Sequence, residues 1–212
     1  MTAPLDHLVL GVPDFAEGLE HVTRVTGARP IDGGHHPGQG TRNAVLRLGR
    51  ECYLEVLGPD RDQPRPAERL RFGLDDLDQP RLVAWCVPAT DLDARVERAR
   101  ALGFAPTGVV AMSRQVPGGA PLRWRVAGLG LGPRGRGLGG VVPFLIDWGQ
   151  SPHPAHGAPD LVQLRRFSVL HPDPLLAERV LSSLGFRPAI KQAVRPGLEA
   201  ILDTPEGQVT IS

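Results

Sequence analysis

A chain of 212 residues, 41% hydrophobic and 22% charged, has the make-up of a soluble globular protein, long enough for one sizeable core or two to three small repeated units. Its formal net charge of +1 generates no field that would gather nucleic acid or an anionic membrane surface, and no apolar run approaches the roughly 18 residues of a membrane span. Cys52 and Cys86 stand singly in apolar runs, which argues against a disulfide framework or zinc knuckle and for a reducing compartment. The opening MTAPLDH lacks the basic-then-apolar pattern of a secretory leader, so a cytoplasmic location is expected.

In chain order, LDHLVLGV (5–12) is apolar and β-branched enough for a buried strand, and Pro13 ends it. Asp14 with Glu17 has capping-box spacing. The helix that follows sets Phe15, Leu19, Val22 and Val25 on one stripe and stops at Gly27. A short strand over 28–32 leads into a glycine-rich loop carrying His35 and His36, then strands over 42–48 and 51–57. Residues 60–80, rich in proline, read as a linker with one helical turn at 67–72. The pattern then restarts: LVAWCV (82–87), Pro88, a helix capped by Thr90 or Asp91 with Leu92, Val96, Ala99 and Leu102 on one face, Gly103, and strands over 107–112, 122–127 and 141–148. After the connector SPHPAHGAP, whose His153 and His156 read as surface residues, a third copy runs through a strand at 164–170 and a helix capped by Asp173 with Pro174 at its first position. Gly185 and strands at 188–194, 198–202 and 208–211 complete it.

The expected architecture is therefore α+β: three βαβββ units, at 1–59, 81–150 and 161–212, separated by a linker at 60–80 and a connector at 151–160. One such unit cannot bury its own open sheet face. The first two most simply form one curved mixed sheet, a cup with its helices outside, while the third either covers a face in the same chain or pairs across a homodimer.

Chemistry concentrates in the first unit. Glu55 is a lone acid within the apolar run YLEVL, and an ionised carboxylate buried without a partner costs several kcal/mol, so it must face water, a cation or a proton donor. Alternation sends Thr41 and Asn43 to one face of their strand and Arg42 to the other, so Asn43 either orients a ligand oxygen or ties down the loop. In LRWRVA, Trp124 shares a face with Leu122 and Val126, while Arg123 and Arg125 share the opposite one. An arginine-lined cup would take an anionic substrate; a tryptophan-lined one is an apolar box for a flat ligand. The glycine-rich stretch 128–140 lies between strands rather than between a strand and a helix, which excludes a nucleotide loop and suggests a hairpin tip or lid.

A βαβββ repeat opening LDHLVLGVPD and ending its first unit in YLEVLGPD resembles the vicinal oxygen chelate superfamily of glyoxalase I, extradiol dioxygenases and bleomycin-resistance proteins. GGHHPGQGTRNAVLRLG, FGLDDL, LRWRVA and PFLIDWG resemble, more narrowly, the bacterial glyoxalase-like domain proteins. The resemblance implies a divalent metal (Zn, Mn, Fe or Ni) in the cup, held by residues of the first and last strands of each unit. His7 and Glu55 match the first unit's ligand positions; Leu82 falls where the second unit would need a histidine, and Asp147 at or beside its remaining position. His36 becomes a candidate ligand or general base, so that Glu55 and His36 are the expected catalytic pair and Asn43, Arg123, Trp124 and Arg125 the expected substrate contacts. Two functions follow: a metal-dependent lyase or isomerase acting on a small oxygenated substrate, or a binding protein that sequesters a small molecule. The missing second-unit histidine favours the latter and the pairing of His7 with Glu55 the former.

Overall fold

A computed structural model describes residues 4–114, 121–129, 138 and 141–212. The first unit comprises β1 (His7–Gly11), α1 (Phe15–Thr26), β2 (Ile31–His36), β3 (Thr41–Gly49) and β4 (Cys52–Pro59). The second comprises β5 (Arg81–Pro88), α2 (Leu92–Ala101), β6 (Val110–Arg114), β7 (Leu122–Gly128) and β8 (Phe144–Asp147). The third comprises β9 (Gln163–His171), α3 (Pro174–Ser183), β10 (Ala189–Gln192), β11 (Gly197–Thr204) and β12 (Gly207–Ile211). The helix ends follow the local chemistry. The Asp14 side chain accepts from the Glu17 N–H and Gly27 closes α1 at φ 64°, while Asp173 accepts from the Leu176 N–H ahead of α3. Asp91 makes no such cap; its carboxylate pairs with Arg95 one turn on.

The first two units form one eight-stranded sheet in the order β2-β3-β4-β1-β5-β8-β7-β6. Each unit contributes a parallel pair, β1 with β4 and β5 with β8, and the halves join where β1 runs antiparallel to β5, with His7 opposite Cys86. The sheet curls until its edge strands meet: the Arg114 guanidinium on β6 donates to the Gly33 carbonyl on β2 at 2.5 Å. Leu8, Leu10, Val12, Leu46, Leu54, Val56, Leu82, Trp85 and Val87 point outward and pack beneath the helices. The third unit's four-stranded sheet, β10-β9-β11-β12, is laid in the same chain against this outer layer, and Val169, Leu181, Phe186 and Leu198 join the same core.

Both spacers are stoppers for the cup. In the proline-rich segment, Leu70, Leu74 and Leu77 pack on Val9, Leu57 and Ala84 at one end, where a 3-10 segment over Arg71–Asp76 replaces the expected turn. Phe72 in it has φ 57°, the one positive value among described non-glycine residues, a left-handed conformation that costs a residue with a Cβ. At the other end Ala155 and Ala158 of the connector seal Val45 and Tyr53. The glycine-rich stretch 128–140 lies outside the described residues apart from Gly128, Leu129 and Leu138.

Candidate active site

His35 and His36 lie on a strand, not in a loop. They are the last residues of β2, paired with Arg42 and Thr41 across a turn in which Gly38 and Gly40 take φ of 72° and 64°. Strand alternation then fixes their directions. His36 is buried in the cup, and half-exposed His35 turns out to the Asp60 carboxylate at 2.6 Å. The same alternation brings Thr41 and Asn43 from β3, Tyr53 and Glu55 from β4 and His7 from β1 onto the inner face. These groups line a cavity of about 50 Å³ together with Trp124, Phe144 and Trp148 from the second unit and Arg71 and Phe72 from the stopper.

Glu55 is the centre of the polar cluster. Its Oε2 lies 3.8 Å from His7 Nε2, its Oε1 lies 4.0 Å from His36 Nε2, and Asn43 donates to Oε1 at 2.5 Å. Arg114 donates in turn to Asn43 Oδ1 at 2.6 Å, which fixes the direction of the amide. Burial would push the Glu55 carboxyl up, but its electrostatic interaction with His7 and His36, the Asn43 hydrogen bond and Arg114 together hold it below its ordinary value, and it stays ionised. His36 shifts down because burial disfavours its charged form, an effect that nearby Glu55 offsets only in part, so it is neutral near pH 7. Its Nδ1 meets the Thr41 hydroxyl at 3.0 Å, leaving Nε2 directed at Glu55.

Behind His7 stands Asp6, which sequence reading missed. Its carboxylate meets His7 Nδ1 at 2.6 Å, accepts from Trp148 Nε1 at 3.0 Å and lies 3.4 Å from His153 Nε2. Burial opposes ionisation, yet the bonds to His153 and His7 and their charges outweigh it and hold Asp6 at about 2. The Asp6 contact holds the ring through Nδ1 and leaves Nε2 turned toward Glu55. The ring is clamped by Tyr53, stacked at 4.6 Å, and by the edge of Phe144 at 5.3 Å. His153, expected on the surface, is buried because its Nδ1 caps the connector turn at the Ala155 N–H while its other nitrogen faces Asp6. His156 does lie exposed, against Glu51.

Three expected site residues are elsewhere. Arg123 and Arg125 alternate with inward Trp124 and therefore face out, Arg123 into solvent and Arg125 onto Asp147 at 2.6 Å and Asp93. Asp147, expected as a ligand, alternates with inward Ile146 and points to the helix side; one residue of register decides the face. Leu82 likewise packs outward, and the second unit lines the cup with Ala84, Cys86, Phe144 and Ile146, so no pair there answers His7 and Glu55. Of the two alternatives for LRWRVA, the tryptophan-lined one is observed.

His7 Nε2 and a Glu55 oxygen face each other at 3.8 Å, beyond hydrogen-bonding distance. One cation can bridge ligand atoms up to about 4.2 Å apart at about 2.1 Å per bond, so His7 and Glu55 offer two ligand atoms that a divalent metal could share, and His36 Nε2 stands 4.0 Å from the other Glu55 oxygen. A carboxylate on the far nitrogen of a ligating histidine, here Asp6 on His7, is the usual outer support of such a site.

A model of the glyoxalase-like domain family matches residues 5–185. Among solved structures, a hypothetical protein from Staphylococcus aureus aligns with a TM-score of 0.68 at 12% identity, covering 93% of this chain and 88% of that one. A methylmalonyl-CoA epimerase from Streptomyces coelicolor, solved with 2-nitronate-propionyl-CoA, aligns at 0.51 and 18% identity over 73% of this chain and 100% of that one. At these identities the structural likeness establishes the fold. No curated protein matches the chain. The cup of paired βαβββ units and the match over most of its length place the chain in the glyoxalase-like domain family of the vicinal oxygen chelate superfamily.

Proposed function

We propose that the protein is a divalent-metal-dependent lyase or isomerase that moves a proton on a small oxygenated substrate. The observation that carries this reading is the approach of His7 Nε2 to Glu55 at 3.8 Å, with ionised Asp6 behind the histidine. A bound Zn, Mn, Fe or Ni ion would supply Lewis-acid polarisation of a substrate carbonyl or enediolate oxygen. The chain's own residues do the rest. His36, neutral and buried, accepts the proton from the carbon beside that carbonyl at Nε2 and returns it. Asn43 holds the Glu55 carboxylate in one orientation, and Trp124, Trp148 and Phe144 keep water from the reacting carbon.

Protein purified without chelator should carry about one equivalent of metal, and His7→Ala/Glu55→Gln should lose it. Wild type should also exchange deuterium into the carbon next to the carbonyl of 2-oxo or 2-hydroxy acids, followed by proton NMR, and His36→Ala should slow this by about a hundredfold or more. Metal content no higher in wild type than in the double variant would sink the metalloenzyme reading. The aromatic wall favours a second reading, sequestration of a flat small molecule without turnover; saturable binding of substrates that never exchange would select it.

A further inference from the structure

The cavity holds two guanidinium groups and one carboxylate. Among the residues that line it, Arg71 and Arg114 are the cations and Glu55 the lone Asp or Glu. Arg114 spends its bonds on Gly33 and Asn43. Arg71 does not have comparable partners: its Nη1 meets Gln39 Oε1 at a slack 3.4 Å and the weakly accepting Met112 Sδ at 3.4 Å, and the guanidinium leans over the Phe72 ring. Every Asp and Glu of the chain lies among the described residues, and none is within ion-pair distance of Arg71. The contrast with its own segment is informative. Arg65 and Arg69, on the same stopper, are paired with Asp75 and Asp76, so acids are at hand and Arg71 is turned away from them.

Its position is equally specific. Arg71 and Phe72 line both the inner cavity and a wider cleft of about 1270 Å³ that continues outward over Gln39, Met112 and Val126, so the guanidinium stands where the two join. Phe72, whose ring lies 5.2 Å from the guanidinium carbon, carries the left-handed backbone noted above and packs on Phe144 at 5.6 Å. Strain at one residue of a stopper, beside an unpaired cation aimed at a cavity, is the arrangement of a ligand clamp rather than of a spacer.

We infer that Arg71, with Gln39 beside it, is an oxyanion subsite, so that the substrate is a small organic acid whose carboxylate or phosphate docks at the mouth while its oxygenated carbon reaches Glu55, His7 and His36. This deepens the proposed function and rests on it for the reacting end alone. A guanidinium fork matches two oxygens of one anion, and in a site walled by Trp124, Phe144 and Met112 the pairing is screened less than at an open surface. The two faces of the ligand are thereby assigned: anion toward the cleft, carbonyl toward the polar floor.

The test is binding, read by quenching of the cavity tryptophans, with two matched pairs: 4-oxopentanoate against its methyl ester, and dihydroxyacetone phosphate against dihydroxyacetone. For at least one pair, wild type should bind the anion about tenfold or more tightly than its uncharged partner. Which pair shows the preference separates a carboxylate from a phosphate. Arg71→Gln should abolish the preference while leaving the neutral partner within about twofold, and Arg71→Lys should keep part of it, a charge without the fork. His7→Ala/Glu55→Gln, which removes the proposed metal ligands, should keep the preference, so failure of the metal reading and failure of the anion subsite are read separately. The inference is overturned if neither anion outbinds its partner up to about 10 mM, or if the preference survives Arg71→Gln in a variant that melts like wild type.

Discussion

His7 does not stand alone: Asp6 meets its Nδ1 at 2.6 Å and settles which nitrogen faces Glu55. Because Asp6 in the folded chain ionises at about 2, below its ordinary 3.8, the stability it contributes is present above pH 4 and is lost as pH falls through 2. The shift corresponds to about 2 kcal/mol. On chelator-treated protein, denaturant unfolding should show wild type more stable than Asp6→Asn by about that amount at pH 7, with the gap closing toward pH 2.5. A gap that stays constant across that range would show that the buried carboxylate is not coupled to His7 and His153 as described. The two thiols give a complementary expectation. Burial first, and then the Asp6 charge, push Cys52 up to about 12, and burial pushes Cys86 well above its ordinary value. Neither should react with a thiol reagent at pH 8 until the chain is unfolded. Glu55 was visible in the sequence because an acid in an apolar strand demands a reason. Asp6 was not, since an acid at the edge of a strand is ordinary until Trp148 and His153 are brought to it from the far side of the fold.

At the scale of elements, the edge strands of the cup are clasped by Arg114, and Gly33 makes the clasp possible. A Cβ at that position would fall 2.2 Å from Asn43 Oδ1 and 2.3 Å from Arg114 Nη1. Gly33→Ala should therefore prise β6 from β2 and free the Asn43 amide that fixes Glu55. We expect a loss of about 1–3 kcal/mol in unfolding free energy together with lost metal or ligand binding. Gly108→Ala, where a Cβ meets nothing within 4 Å, should stay within about 0.5 kcal/mol of wild type. Equal behaviour of the two variants would refute the clasp. The repeated strand, proline, capped helix and glycine were legible because periodicity and caps are local signals, and they located β1, α1 and β4 to within a residue or two. The faces of β2 and β8 were not. The pairing of His36 with Thr41 lengthens β2 through what reads as a glycine loop, and one residue of alternation separates Ile146 inside from Asp147 outside. Arg114 escaped notice for the same reason, since its partners lie on the opposite edge of a sheet whose closure no local pattern announces.

The whole molecule shares one core across its two sheets. Trp85 of the eight-stranded sheet lies 5.2 Å from Phe167 and 5.9 Å from Phe186 of the third unit, and both rings stand among the helix-side residues of the first two units. Truncating Phe186, which is 1% exposed, to alanine should cost about 3–5 kcal/mol. Tryptophan fluorescence and far-ultraviolet circular dichroism should then shift their midpoints together; separate transitions would mean that the third unit folds independently. The division of labour between the first two units has a further consequence. His7, His36, Asn43 and Glu55 come from one repeat, while Trp124, Phe144 and Trp148 come from the other, so the duplicated cup takes its histidines and carboxylate from one half and its tryptophans from the other. With a cation at its mouth as a third reference point, the chamber is chiral. With His36 as the base we propose, a prochiral carbon held in it would meet His36 on one face, so a proton returned there would arrive from one side and turnover should deliver a single enantiomer, read by chiral chromatography of the product.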